Sequence, residues 1–478
     1  MQDVTGWQNQ QGTLQNNESA QELQKALQVG FPNTPGAAGG QALTRQSLDA
    51  VLATTTLSMA DIKLWKMLPK VAANSTVEQY VELAAYGQNI ENGFMAEIDT
   101  PNNSDATYVP RYELLKTLGV RCGVSFIAMQ TKNIVDLAAE AARTGTMDLL
   151  RKTERSLWYG DPTKSPLQWQ GLIPKILARS PAANIIDCRG QPLDQEFLLQ
   201  GTTTIADAPN YGVATHLFVN TRAKGDIARG FLNTQRTVVT QGNNSDAITI
   251  GLNPTQFAST SGMVQFVDTP FLDNGGNPTL GAVGDPSLAP PVPVISTAAL
   301  AGAPGAGVES KFTAADAGAY TYVVQASNSN GFSAPIALSA AAIQVAAGQV
   351  VTFGITAGAG NVTEHFKLYR TPLAGGAPVL IQKISNLDAN NIPQAGVQVL
   401  ALDYNDKLPG SYDAVMMQFD VETVRFLQLG SLTRVPLAIV QTAMQWMLLM
   451  TGAPSLRAPN RAVLFKNVGL AQHVASPY

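Results

Sequence analysis

The sequence predicts an α+β fold that is interrupted by an all-β segment. Helix and strand patterns alternate between residues 131 and 270. After Asp285 the composition changes, because only Glu309, Lys311 and Asp316 are charged between residues 286 and 363 while short strand patterns recur between turns. The mixed pattern resumes after about Lys407. We therefore interpret residues 290–408 as an insertion into a domain that begins before it and ends after it.

The N-terminal residues 1–45 predict an extended arm. Ten glutamines fall from Gln2 to Gln46, and residues 31–40 have the Gly/Pro composition of a linker. An arm with so little apolar surface cannot fold alone, so it is either disordered or held by a neighbouring subunit. The partly helical pattern at 47–68 ends before Pro69, as proline chemistry requires.

Two strand-like runs, at 74–95 and 111–130, predict a long two-stranded arm. A polar turn, DTPNNSD at 99–105, separates them. Residues 78–105 contain no Lys or Arg, so the arm is acidic. Its acidic residues are Glu78, Glu82, Glu91, Glu97, Asp99 and Asp105.

A helix is predicted from Thr131, since apolar residues recur at helical spacing from Ile134 to Ala141. A glycine inside a helix costs about 1 kcal/mol, so the sequence Thr-Gly-Thr at 144–146 predicts a kink or a restart. The helix carries basic residues, which form either an ordinary solvated face or a partner for the acidic arm of a neighbouring copy. These candidates are Arg143, Arg151, Lys152 and Arg155.

Between residues 171 and 270 we expect strands at 214–219, 247–250 and 262–267, and helices at 194–207 and 221–231. Asp194 is suited to cap the first of these helices. The longest apolar run, at 435–450, is too short to span a bilayer and contains Gln441 and Gln445. It predicts a buried strand followed by a helix or a second strand.

The inserted segment has alternating strands separated by Gly/Asn turns, which is typical of a β-sandwich. The stretches GAYTYVVQASNSNGFSAP and FKLYRT resemble fibronectin type III or immunoglobulin-like domains. The Cys…Trp…Cys core of immunoglobulin domains is missing, which favours the fibronectin-like version.

Nothing in the sequence indicates catalysis, a cofactor or a metal. The three histidines, His216, His365 and His473, are far apart, and no HExxH, P-loop, GxGxxG or GxSxG motif is present. Cys122 and Cys188 are expected to be free thiols in a reducing cytosol. The N-terminal residues lack a secretory pattern, so we expect no signal peptide. A net charge of −4 with no basic stripe argues against a nucleic-acid reader.

The order of motifs between Thr153 and Val239 resembles the core of tailed-phage major capsid proteins. A helix ends in SLWYGD, a Gly-Leu segment follows at Gly171, and the stretch YGVATHLFVN leads into a new helix at Thr221. Near the C-terminus, APNRAVLFKNVG resembles the closing strand of that family. The first match covers about a fifth of the chain.

The resemblance implies a capsid fold with an N-terminal arm at 1–70 and an extended hairpin loop at 71–130. A spine helix and the start of a peripheral domain would occupy 131–190, and an axial domain 191–289. The insertion at 290–408 would project outward, and 409–478 would return to both domains. Strands near 412–430 and 455–470 would complete the peripheral domain, and part of 430–455 the axial domain.

The implied function is self-assembly, in hexamers and pentamers, into the icosahedral head shell that encloses double-stranded DNA without recognising its sequence. The protein would be made in the host cytoplasm and end in the virion, with portal, scaffolding or decoration proteins as partners, no cofactor and no membrane. The insertion would stabilise the shell or bind a host surface. Two alternatives remain: an extracellular adhesin or surface-layer protein, and an enzyme with a carbohydrate-binding β-domain.

Overall fold

The computed structural model describes residues 59–86, 97–98, 105–131, 136–234, 254–259, 261–273, 280–305, 309–373, 375–388, 390, 392–438 and 442–469. Apart from Asp136, these residues belong to one compact unit. The predicted arm before residue 59, the strand at 247–250, and the residues Glu91, Asp99 and His473 lie outside the described residues.

The helices of the described part are α1 Leu64–Met67, α2 Phe126–Gln130, α3 Leu137–Tyr159, α4 Leu172–Arg179, α5 Gln195–Ala206 and α6 Thr221–Thr234. The strands are β1 Lys70–Ala72, β2 Val77–Ala85, β3 Thr107–Leu114, β4 Lys116–Ser125, β5 Ile185–Asp187, β6 His216–Val219, β7 Gln256–Ser259, β8 Gly262–Asp268, β9 Val294–Gly302, β10 Gly318–Tyr320, β11 Tyr322–Asn328, β12 Gly331–Phe332, β13 Ile336–Ala337, β14 Ile343–Val345, β15 Val350–Thr356, β16 His365–Arg370, β17 Val379–Ser385, β18 Gln398–Asp403, β19 Tyr412–Met417, β20 Val424–Gln428, β21 Thr433–Pro436, β22 Ala443–Leu456 and β23 Ala462–Val468. None of these helices is long and apolar enough to cross a membrane.

The first sheet, which we call the spine sheet, has the order β1-β20-β22-β21, and β4 pairs with β22. The long helix α3 and the short helix α4 pack against it through one apolar core that includes Leu157, Trp158, Ile176 and Phe426. The predicted two-stranded arm is therefore wrong in its second half. Residues 116–125 belong to this sheet, and only β2 and β3 form the hairpin.

Helix α3 is continuous through Gly145, so the predicted kink is absent. A Cβ at Gly145 would lie 2.2 Å from the Sγ atom of Cys122 on β4. The glycine is needed because helix and sheet approach closely at this point, where Leu149 and Trp446 form a small core. The close packing of helix and sheet at this point offsets the low helix propensity of glycine.

The second sheet has the order β5-β23-β19-β6-β8-β7, with α5 and α6 packed on it. The expected division of the return strands is therefore wrong, because β19 and β23 pair with each other and with the β5–β8 region. The apolar run at 435–450 instead supplies β21 and most of β22 in the spine sheet. The strand orders of both sheets depend on pairing between distant segments, which the local sequence does not specify.

Residues 290–408 form three sheets, β18-β15-β9, β12-β11-β16-β17 with β13, and β10-β14. Side chains from all three share one apolar cluster, which includes Tyr322, Phe353, Phe366 and Ala401. At its base the buried Arg370 donates to Asp403 Oδ2 at 2.6 Å. These residues thus have a core separate from those of the two mixed sheets.

Candidate interaction surface

The hairpin of β2 and β3 runs from the pair Val77–Leu114 to the pair Ala85–Thr107. Since successive side chains of a strand alternate between faces, the two faces carry different residues. The face with Tyr80, Glu82 and Glu113 is buried or half-buried, whereas the opposite face is exposed. The hairpin therefore has one side directed at its own chain and one side that none of the described residues covers.

The covered face is held by an arginine on α4. Arg179 donates to Glu82 Oε2 at 2.9 Å and to the Tyr80 hydroxyl at 2.9 Å. Arg111 of β3 donates to the same Glu82 oxygen at 2.8 Å. Although burial opposes it, the hydrogen bonds and charges of Tyr80 and Glu82 raise the pKa of Arg179.

A buried lysine on the same helix forms the second attachment. Lys175 Nζ donates to Glu113 Oε2 at 2.5 Å and to the Pro454 carbonyl at 2.6 Å. The side chains of the pair are only 2% and 10% exposed. Burial lowers the pKa of Lys175, and the Glu113 carboxylate opposes this shift. Helix α4 thus fixes both strands of the hairpin against the spine sheet.

The uncovered face of the hairpin is apolar. Its large side chains, 37% to 65% exposed, are Val77, Val81, Leu83, Tyr108, Tyr112 and Leu114. The register places them on one side, because Val77 pairs with Leu114 and Leu83 with Tyr108. We call these six residues the outer face. Only the acidic residues of this hairpin are predicted from the sequence as contacts, whereas the outer face is marked by the period-two pattern of Val77, Val81 and Leu83.

The predicted acidic residues are divided between several environments. Glu82 is engaged by Arg111 and Arg179 on the covered face. Glu78 is half-buried, and Glu97 and Asp105 are exposed.

The four predicted basic residues already contact carboxylates of their own chain. Arg143 lies 3.6 Å from Glu140, whereas Arg151 and Lys152 lie 3.1 and 2.7 Å from Asp148, and Arg155 lies 3.3 Å from Asp273. Each distance joins a side-chain nitrogen to a carboxylate oxygen. Among the described residues, no acidic residue of the hairpin contacts these cations within one copy.

A further residue that the sequence analysis missed is Glu154 on α3. Its fully buried carboxylate accepts hydrogen bonds from the backbone N–H groups of Leu64 and Trp65, both at 2.8 Å. Burial raises the pKa of Glu154, and these backbone hydrogen bonds oppose the shift. The segment that precedes β1 is thereby fixed to the long helix.

The described residues contain no cluster of three or more His, Cys, Asp or Glu side chains that could hold a metal ion. His216 packs against Phe218 and Phe419. His365 is half-buried on β16, and burial, together with Lys383 and Lys367, lowers its pKa to about 3.

No family model matches the chain. The major capsid protein of Staphylococcus phage K is 22% identical over 464 residues, covering 94% of this chain and 95% of that protein. The putative major capsid protein of Enterococcus phage phiEF24C is 24% identical over 458 residues, with the same coverage. The chain has the function of a phage major capsid protein. This capsid protein is thus a structural component of a virion.

One solved structure that aligns with the capsid protein is titled as the capsid of a native GTA particle computed with C5 symmetry. It has 8% sequence identity, a TM-score of 0.45, and coverage of 91% of this chain and 99% of that chain.

Proposed function

We propose that copies of this capsid protein assemble as hexamers and pentamers into the icosahedral head shell of a tailed phage. The shell encloses double-stranded DNA without reading its sequence, and the protein is made in the host cytoplasm before it enters the virion. Portal and scaffolding or decoration proteins complete the particle. The full-length similarity to phage major capsid proteins supports this proposal.

The outer face of the hairpin is the observation that carries the proposal. Six large apolar side chains on one side of a two-stranded ribbon are unusual for a surface that stays in water. The ribbon is fixed at its base by Lys175 and Arg179, so it cannot fold back to bury them. A neighbouring copy of the chain covers this face in the shell.

Charge has a smaller part in the proposed contact. The acidic residues of the hairpin, including Glu97 and Asp105, face the basic residues of α3 in the adjacent copy. Because Arg143, Arg151, Lys152 and Arg155 are already paired within their own chain, each new pair adds only about 0–1 kcal/mol. The charges set the register, and the apolar face supplies most of the affinity.

For the insertion at 290–408 we propose an inserted fibronectin-like sandwich that projects outward. Its separate apolar core and short antiparallel strands are what such a domain requires. There it stabilises the shell or binds a host surface. We assign the arm to 1–70, the spine helix and the start of the peripheral domain to 131–190, the axial domain to 191–289 and the return strands to 409–478. The hairpin loop is limited to β2 and β3.

Electron microscopy of the expressed protein tests the assembly. We expect closed shells or capsomers from the unaltered chain and fewer shells from the Val81→Ser variant. Covering a valine that is 60% exposed contributes about 1 kcal/mol to each contact, or about fivefold in affinity. The double variant Tyr108→Ser/Tyr112→Ser loses about 4 kcal/mol for each contact and forms no shells.

The matched control is Val362→Ser, which removes the same group from a valine that is 55% exposed outside the hairpin. This variant should assemble like the unaltered chain. Sedimentation velocity measures the assembled fraction, and circular dichroism checks that each variant is folded. Normal shells from the double tyrosine variant, or a stable monomer that assembles under no condition, would contradict the proposal and favour an adhesin-like surface protein.

A further inference from the structure

A cleft of about 830 Å³ lies where the C-terminal end of α3, the loop that follows it, and strands β17 and β18 come together. Six basic residues line it, of which Lys152 and Lys466 are paired with Asp148 and Asp406 at 2.7 Å each. The other four come from three separate parts of the chain. Arg155 and Lys164 come from α3 and its loop, Lys383 from β17, and Lys407 from the segment after β18. We call these four residues the cation cleft. None of the contacts proposed for shell assembly uses Lys164, Lys383 or Lys407.

The β17 side of the cleft contains an unfavourable pair of like charges. Lys383 lies directly opposite Lys367 of β16 in the antiparallel register. Like charges at such a position destabilise a sheet. Lys367 is partly compensated, because its ammonium group lies 4.4 Å from the centre of the Phe332 ring. The ammonium group of Lys383 has no ion-pair or hydrogen-bond partner within the described part of the chain.

The acidic groups near the cleft are already engaged. Asp273 is paired with Arg155 at 3.3 Å, and Asp161 with Lys164 at 3.4 Å. Asp413 accepts a hydrogen bond from the Tyr159 hydroxyl at 2.9 Å. Two further lining carboxylates are also paired, Asp403 with Arg370 at 2.6 Å and Asp406 with Lys311 and Lys466 at 2.5 and 2.7 Å. Each of these carboxylates therefore has a bound donor.

Lys407 is half-buried, and its ammonium group, like that of Lys383, has no ion-pair or hydrogen-bond partner among the described residues. Burial is the largest cause that lowers the pKa of both lysines to about 8. For Lys407 the nearby carboxylates of Asp413 and Asp273 oppose this shift, while positive charge on Lys164 and Arg155 lowers the pKa of both lysines further. Two partly desolvated ammonium groups thus share the same cationic neighbours. For Lys383, which also faces Lys367, this arrangement costs stability in the absence of an anion.

We propose that the cation cleft binds a small multivalent phosphate-type anion, with Lys383 and Lys407 as its main donors and Arg155 and Lys164 beside them. A phosphate chain concentrates several negative charges and acceptor oxygens in a compact group, which suits ammonium and guanidinium donors that converge from different elements. A cleft of about 830 Å³ accommodates a chain of several phosphates. The inference does not depend on shell assembly.

Isothermal titration calorimetry of the full chain with inorganic tripolyphosphate tests the site. We expect saturable binding with one site per chain. Lys383→Gln and Lys407→Gln should each weaken binding about tenfold, the effect of removing one charge-assisted hydrogen bond. Lys66→Gln is the matched control, since it removes one positive charge from an exposed residue that does not line the cleft and should leave binding unchanged.

Thermal unfolding provides a readout that a merely structural lysine would not give. Without ligand, Lys383→Gln should be at least as stable as the unaltered chain, because the repulsion from Lys367 is removed. Tripolyphosphate should raise the melting temperature of the unaltered chain and not that of Lys383→Gln. Equal binding by all variants would overturn the proposal. Equal affinity for an acidic peptide of residues 90–100 would also overturn it and assign the cleft to a segment of another copy.

Discussion

Replacing Lys175 with methionine tests whether α4 holds the hairpin in place. Methionine keeps the apolar stem but removes the ammonium group that joins Glu113 and the Pro454 carbonyl at 2.5 and 2.6 Å. Glu113, which is 7% exposed, would then be a buried carboxylate with no cation. Removing one partner of a buried ion pair costs about 3–5 kcal/mol, so we expect a loss of that size in the free energy of unfolding.

The double variant Lys175→Met/Glu113→Met distinguishes the interaction between the two charges from the contribution that each side chain makes with its other neighbours. With both charges removed, the desolvation cost of the lone carboxylate disappears, and most of the stability should return. The difference between the double variant and the sum of the single variants gives the coupling free energy, which we expect to be about 2 kcal/mol or more. Urea unfolding of unassembled chains, followed by tryptophan fluorescence, measures all of these values.

The control is Lys224→Met, which interrupts a longer and more exposed pair with Asp268 at 3.4 Å. Lys63 also contacts Asp268, at 2.8 Å, so that carboxylate keeps a partner. This control should cost at most about 1 kcal/mol. If Lys175→Met costs no more than Lys224→Met, or if the cycle shows no coupling, Lys175 does not hold the hairpin.

Two further predictions concern packing and pH. Gly145→Ala should lower the free energy of unfolding by about 1–3 kcal/mol, and with it the melting temperature, because its Cβ would lie 2.2 Å from Cys122 Sγ. Gly225→Ala, in open space on α6, should raise the free energy of unfolding by up to about 1 kcal/mol, and shifts of the same sign in the two variants would contradict this reasoning. Burial raises the pKa of Asp413 from 3.8 to about 6, so its contribution to stability is complete below about pH 4 and is lost as the pH rises through 6, a change of about 3 kcal/mol. Asp413→Asn should flatten the pH dependence of the free energy of unfolding, measured with urea, between pH 4 and 6. An unchanged slope would show that Asp413 does not cause this dependence.

Local signals predicted many of the individual elements. Asp194 caps α5 as expected, since its carboxylate accepts a hydrogen bond from the Phe197 N–H group. The predicted helix at 221–231 is confirmed as α6, and the predicted strand at 262–267 as β8. These features depend on residues within a few positions of each other, and a single sequence contains that information.

Pairing between distant segments could not be predicted in the same way. Strand β22 pairs with β4 although more than three hundred residues separate them, and Lys175 contacts Glu113 across 62 positions. Gly145 looked like a helix defect because the strand that requires it lies on a different part of the chain. Apolar runs and charges in a sequence specify what must be buried or paired, but not which distant segment does it.

The placement of charge on the hairpin explains how one ribbon can be both fixed and ready to bind. Glu82 and Glu113 are directed at Arg179 and Lys175, where burial and short distances fix the positions of the paired side chains. Had these charges been on the outer face, each would have contributed little in water and would have opposed burial by a neighbour. With the charges on the covered side, the outer face is free of formal charge and can be buried without a desolvation cost for ions. The acidic pattern in the sequence therefore marks chiefly how the hairpin is attached, and the apolar residues between the acids form the face that we propose a neighbouring copy covers.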